Sequence, residues 1–309
     1  MLERSIRFGP NGALVGTVCY PDPHVQHAPN VGMILFNAGI LHRIGPHRIN
    51  VRLARRLAHH GIPSIRFDLS GLGDSDRPDA RHSFEEQAIT DLHAAMDQLG
   101  SETGADQFVL FGFCSGGRHA YAAAAGVTER IAGIILYDTY IYSTIRSRLN
   151  RVRHFIRLHG LMKSARLAAQ HRISSAMAHL PGWLGGNTSS HAMETPPNYD
   201  PIRLEFANTI HRVCRRGVKV AIAFSGESAD YNYRGQFAES MSDLGISELV
   251  DFAYMPNMDH TVMEINEQAT FLEWIVDWTL KLNRQHRDQR RATLRPQLRV
   301  EHEASHKQP

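Results

Sequence analysis

Ile131-Ala-Gly-Ile-Ile-Leu-Tyr137 runs for a whole strand length with no charged side chain and no polar group except the tyrosine hydroxyl. A strand with one wet face alternates apolar and polar residues. A continuous apolar run reads instead as a strand covered on both faces, as in a parallel sheet between helical layers. Val31–Phe36 is a similar short apolar run, and Pro63–Asp68, Gln107–Gly112, Val218–Phe224 and Leu249–Tyr254 read as further strands. Helical patterns separate them. Ile49, Leu53 and Leu57 recur at spacing four in a helix over 47–60, which Gly61 stops. Ser83-Phe-Glu-Glu86 is a capping box opening a helix to about Leu99, with Gly100 at its end. A last amphipathic helix carries Phe271, Leu272, Trp274, Ile275, Trp278 and Leu282. Segments 2–8 and 13–19 form a hairpin about Pro10-Asn11-Gly12. The fold class is therefore α/β, a doubly wound, mostly parallel sheet.

The alternation lapses between about residues 138 and 218, where helical periodicity continues without a clear strand. A structureless loop of that length is improbable in a compact domain, so the segment reads as an inserted helical cap. Pro181-Gly182 and Pro196-Pro197 break it. The expected organisation is a core from 1–138 and 211–283, a cap at 139–210, and a basic mobile tail at 284–309. A chain of 309 residues is long enough for one large core plus a cap.

Charge and cysteine usage narrow the function classes. The tail from Arg284 holds seven Lys/Arg against three Asp/Glu, and Arg146–Arg172 holds eight Lys/Arg and no acid. Such stretches are solvated helical faces or surfaces that attract anions. Aromatics do not interleave with the arginines, so nucleic acid is not an expected partner. No apolar run approaches the ~18 residues of a membrane helix, and the charged N-terminus lacks the apolar region of a secretory signal. Cys19, Cys114 and Cys214 are odd in number and widely spaced, without a CxxC pair. They suggest neither a disulfide framework nor a zinc site, and a cytoplasmic location is the default.

The segment that points to chemistry is Phe111-Gly-Phe-Cys-Ser-Gly-Gly117. Here a strand passes directly into a helix. So tight a turn needs small residues two before and two after its centre, because larger ones collide with the backbone. Centred on Cys114, the flanks are Gly112 and Gly116; centred on Ser115, the first flank is the bulky Phe113. The steric argument selects Cys114 as the exposed nucleophile. The free N–H groups and dipole of the following helix favour a thiolate and a developing oxyanion. Ser115 N–H is one expected oxyanion donor, and the second is expected near Ala38 or Gly39.

With these residues in view, the chain resembles an α/β-hydrolase. Gly112-Phe-Cys-Ser-Gly116 is similar to the nucleophile elbow of that superfamily, with cysteine for the usual serine. Asp68-Leu-Ser-Gly-Leu-Gly-Asp-Ser75 resembles the loop that follows an early strand. Asn37-Ala-Gly-Ile-Leu-His-Arg-Ile-Gly-Pro-His-Arg48, followed by Arg66-Phe-Asp68, looks like the serine aminopeptidase-like, exosortase-associated hydrolases. The resemblance covers about residues 1–283. It implies the chain order nucleophile, acid, histidine. His260, in Met255-Pro-Asn-Met-Asp-His260, stands where the base is expected. For the acid, the family's Gly-x-x-Asp falls on Ala229, with Asp230 one place later. Asp230 is the first choice, Glu227 the second, and Asp138, at the end of the preceding strand, the third.

Asp68 and Asp74 flank a Gly-rich loop of the kind that is more often structural than catalytic. His42 and Arg43 either bind an anionic substrate group or begin a solvated helix. No metal or other cofactor is expected. An acyl-cysteine is itself a thioester, so the expected reaction is cleavage of an ester or thioester by a Cys-His-Asp triad. The substrate is a small-molecule or carrier-bound acyl compound, expected to be anionic. The alternatives are an acyltransferase working through the same acyl-enzyme with a carrier- or CoA-type donor, and a non-catalytic binding protein on this fold. The sequence sets neither substrate nor oligomeric state.

Overall fold

The computed structural model describes residues 2–25, 31–77, 82–126, 129–159, 203–226 and 230–305. Eight strands make one sheet: β1 (Glu3–Phe8), β2 (Leu14–Cys19), β3 (Val31–Leu35), β4 (Ser64–Asp68), β5 (Gln107–Phe113), β6 (Ile131–Tyr137), β7 (Lys219–Ser225) and β8 (Val250–Met255). Their spatial order is β1-β2-β4-β3-β5-β6-β7-β8. The first hairpin pairs antiparallel and joins β4 antiparallel. Every other pairing, from β4 through β8, is parallel. All side chains of β3, β4 and β6 are buried, which is why β3 and β6 read as unbroken apolar runs, while β4 buries Ser64, Arg66 and Asp68 beside Ile65 and Phe67.

Helices cover both faces. They are α1 (Ile49–His59), α2 (Phe84–Thr103), α3 (Gly116–Ala125), α4 (Ile145–His159), α5 (Arg203–Arg215), α6 (Gln236–Ser240) and α7 (Ile265–Ser305). One core lies under α2, α3 and α5, built on Phe67, Phe108, Leu110, Ile134 and Phe206. The other lies under α1 and α7, built on Leu53, Leu57, Phe111, Phe271 and Ile275. Successive strand residues point to opposite faces, so Leu110 and Phe111 of one strand serve different cores.

Two helix ends differ from expectation. The capping box at Ser83 and Glu86 opens α2 as foreseen, but the helix passes through Gly100 and ends at Gly104, which takes the left-handed conformation. A glycine inside a helix weakens it by roughly 1 kcal/mol without having to stop it. The chain after Asn283 continues as part of α7 to Ser305. Its apolar periodicity fades, but arginine, glutamine and alanine are adequate helix formers without a buried face, and Arg290 pairs with Asp106 at 2.8 Å. Of the expected cap, α4 and the start of α5 are described, and 160–202 lies outside the described residues. Among the described residues no helix is long and apolar enough to cross a membrane.

Candidate active site

In an open parallel sheet, side chains from several strands converge beyond the carboxyl ends of those strands. Here β3 delivers Asn37–Gly39, β5 delivers Cys114, β6 delivers Asp138, and the segment after β8 delivers His260.

The elbow has the geometry its glycines require. Cys114 sits at φ 52, in the left-handed region that side chains rarely occupy. Ser115 returns to φ −59 and α3 begins at Gly116. A Cβ on Gly112 would lie 2.4 Å from Gly117 Cα, and one on Gly116 would lie 2.7 Å from Asn37 O. Those contacts are to backbone and cannot be relieved by turning a side chain. The bend is tied from both sides: Cys114 N–H donates to Tyr137 O at 2.8 Å, and Thr139 Oγ1 donates to Cys114 O at 2.8 Å. The steric centring on Cys114 agrees with the conformation.

Cys114 is half-buried and lines a cavity of about 440 Å³ with Ser115, Arg118, Asp138, Tyr140 and Arg151. His260, and more weakly the Ser115 backbone N–H, act on the Cys114 thiol in the direction of the thiolate. On the far side of the ring, His260 Nδ1 lies 2.8 Å from Asp138 Oδ2. The Asp138 side chain is 1% exposed. Ser225 N–H donates to its Oδ1 at 2.7 Å, and Ser225 Oγ donates to its Oδ2 at 2.6 Å. The hydrogen bond to Asp138, followed by that to Cys114, pushes His260 up to about 10. The hydrogen bond to His260 draws the Cys114 thiol below its ordinary value, against the opposing effect of burial. Both directions favour a thiolate beside an imidazolium.

The carboxylate on His260 is thus Asp138, the third sequence choice, and not Asp230. Asp230 forms an ion pair with Arg151 at 2.7 Å, with both side chains exposed. Glu227 lies outside the described residues. The reason is the strand order. β6 is the immediate neighbour of β5, so the residue ending β6 stands beside the elbow. Asp138 turns into the site through its own left-handed φ of 48, with its N–H on Ala223 O at 2.9 Å.

Three aromatic or polar supports that reading the residues in order does not single out hold His260. Tyr137 lies nearly parallel to the imidazole, centroids 6.2 Å apart, and its hydroxyl donates to Asp259 O at 3.0 Å. Phe113 packs 6.0 Å from the same ring. The Asp259 carboxylate accepts from Thr261 N–H at 2.7 Å and Met263 N–H at 2.8 Å, shaping the turn that carries the histidine.

The expected oxyanion loop rests on a buried strut. Asp68, fully buried, accepts from Asn37 Nδ2 at 2.9 Å and from Arg43 N–H at 2.7 Å. Asn37 Oδ1 in turn accepts from Leu69 N–H at 2.6 Å. The Arg43 guanidinium pairs with both Asp68 and Asp74. Arg43 is therefore a brace inside the protein and not a group offered to substrate, which corrects the expectation of anion binding there. His42 stands 3.4 Å from Asp74 in the same cluster. His42, Asp68 and Asp74 could together meet a cation, but the Arg43 guanidinium already stands against both carboxylates. Gly39, expected as an oxyanion donor, gives its N–H to Ser115 Oγ at 2.7 Å. Ala38 N–H has no acceptor among the described residues.

Residues 33–179 match the family described as the alpha/beta hydrolase fold. The chain has the α/β-hydrolase fold. Solved structures agree over nearly the whole chain. The alpha/beta hydrolase GrgF from a Penicillium species is 16% identical, covers 93% of this chain and 99% of its own, and superposes with a TM-score of 0.54. Est1E from Butyrivibrio proteoclasticus is 14% identical over 90% of this chain and 98% of its own, with a TM-score of 0.53. A dienelactone hydrolase from Anabaena variabilis is 13% identical over 91% and 97%, with a TM-score of 0.52. At such identities the likeness is one of fold. No curated protein matches the sequence.

Proposed function

We propose that this protein is a hydrolase that cleaves an ester or thioester through an acyl-cysteine intermediate. Cys114 is the nucleophile, His260 the proton carrier and Asp138 the carboxylate that orients it. The observation that carries this reading is the strained elbow that sets Cys114 on the cavity wall, with His260 drawing its thiol toward the thiolate and the buried Asp138 2.8 Å from the far side of that ring. The sulfur attacks the acyl carbon, and the carbonyl π pair moves onto oxygen. Collapse expels the alcohol or thiol, which takes the proton held by His260. Neutral His260 then draws a proton from water, whose oxygen attacks the thioester and releases the acid and Cys114. Asp138 keeps Nδ1–H directed at itself, so that Nε2 is the atom facing the sulfur.

The substrate proposed is an anionic small-molecule or carrier-bound acyl compound. The reading draws on Arg118 in the cavity wall and on the acid-free run of arginines along α4. The described part of the expected cap, 139–159, is proposed to bound that cavity, and the cytoplasm is proposed as the compartment, given three free cysteines. The same acyl-enzyme can pass its acyl group to an alcohol or amine. Acid formed without added acceptor distinguishes hydrolysis from acyl transfer. The decisive test is trapping: a chromogenic ester or acetyl thioester should leave an acyl adduct on Cys114, located by mass spectrometry. Cys114→Ala should abolish both adduct and turnover, and a fully active Cys114→Ala variant overturns the proposal.

A further inference from the structure

Ser115 follows the nucleophile, and its hydroxyl occupies an unexpected place. Gly39 N–H, from the loop after β3, donates to Ser115 Oγ at 2.7 Å. A serine hydroxyl offers one donor and two acceptor positions. The amide takes an acceptor position, which fixes the oxygen and leaves the proton to point elsewhere. Among the described residues that hydroxyl has no other partner. Ser115 lines the same cavity as Cys114 and is its neighbour at the start of α3. The loop holding Gly39 is fixed from beneath by Asn37 and the buried Asp68, so the contact rests on a rigid base.

We propose that the Ser115 hydroxyl is an oxyanion donor, a catalytic residue that touches the reacting carbonyl oxygen, and that Gly39 N–H is the group that positions it. This rests on the acyl-cysteine reading above. When Cys114 Sγ bonds to the acyl carbon, the C=O π pair becomes a lone pair on oxygen. That oxygen accepts hydrogen bonds from Ser115 N–H and Ser115 O–H without any proton leaving the serine. When the intermediate collapses the pair re-forms the C=O bond, the bond to the leaving group breaks, and the leaving group takes its proton from His260. The donor is already oriented, so little reorganisation accompanies the charge as it develops.

The test uses the full-length protein with p-nitrophenyl acetate, reading the first burst of p-nitrophenolate. Ser115→Ala should slow acylation by about 10²–10³-fold, the usual effect of removing one oxyanion donor. Ser115→Thr, which keeps the hydroxyl, should restore most of it. Alkylation of Cys114 by iodoacetamide forms no oxyanion, reads only thiolate character, and should keep its wild-type rate in Ser115→Ala. An undiminished or faster burst in Ser115→Ala overturns the proposal, as does a parallel fall in alkylation. A burst that persists in Cys114→Ala sinks the acyl-cysteine reading itself, whereas a Cys114-dependent burst indifferent to Ser115 removes only the donor.

Discussion

Asp138→Asn is the perturbation that separates the triad from its surroundings. The backbone N–H of Ser225 must keep an acceptor, so the single amide oxygen of asparagine stays on that side, where Oδ1 now accepts at 2.7 Å. The amide nitrogen then faces His260 Nδ1, where Oδ2 now sits at 2.8 Å. Two donors cannot share that bond, so the imidazole must carry its proton on Nε2, the wrong atom for accepting from Cys114. The charge effect adds to this. With His260 raised to about 10, nearly all of it is imidazolium at pH 8. Returned to the ordinary value of about 6.5, only ~3% is, which is roughly a thirtyfold loss before the tautomer is counted. Together the two effects predict a fall in kcat/KM of about 10⁴, the loss seen when a triad aspartate is replaced by asparagine. The assay is the pH profile of iodoacetamide alkylation at Cys114 beside the kcat/KM for p-nitrophenyl acetate. Wild type should keep its alkylation rate well below the ordinary thiol range of about 8.5 and lose it only as acid protonates the thiolate. Asp138→Asn should move that midpoint upward. An unmoved midpoint refutes the reasoning, as does an equal shift in Asp230→Asn, which breaks an exposed ion pair with Arg151.

Two further substitutions test the framework that holds the site. Gly112→Ala places a methyl 2.4 Å from Gly117 Cα and should lower stability by about 1–3 kcal/mol or more while widening the elbow, measured as the denaturant midpoint together with Cys114 alkylation. A soluble variant with unchanged midpoint and activity would show that the close approach is not real. Asp68→Ala leaves the mostly buried Arg43 guanidinium without its inner partner and should cost about 3–5 kcal/mol in urea unfolding. The same variant should slow acylation more than alkylation, since Asn37 and the loop to Gly39 lose their support; equal slowing of both would place the defect elsewhere.

Much of this architecture was legible because it follows from neighbours in the chain. A run such as Ile131–Tyr137 states that both faces of its strand are covered, whichever strands flank it. The elbow was legible for the same reason: whether Cys114 or Ser115 takes the left-handed conformation depends on residues two places away, and the sterics of Gly112 and Gly116 decide it. His260 was reached through the resemblance, which expects the base after the last strand. The end of α7 was misread because hydrophobic period reports buried faces and is silent on a helix carried by intrinsic propensity.

The identity of the acid could not be read in that way. Asp230 and Asp138 both follow strands and both fit the chain order, and a one-residue offset in a loop says nothing about reach. The sheet decided it by setting β6 beside β5, so that the carboxylate just after β6 stands next to the elbow and meets His260, while the one after β7 pairs with Arg151 on the cavity wall. Arg43 shows the same limit, since only the folded chain reveals that Asp68 and Asp74 have claimed its charge. So does Gly39, whose amide meets a hydroxyl 76 residues away. Covalent neighbours dictate backbone shape through short-range sterics. Which polar atoms meet across strands is set by distances that exist only once the sheet has formed.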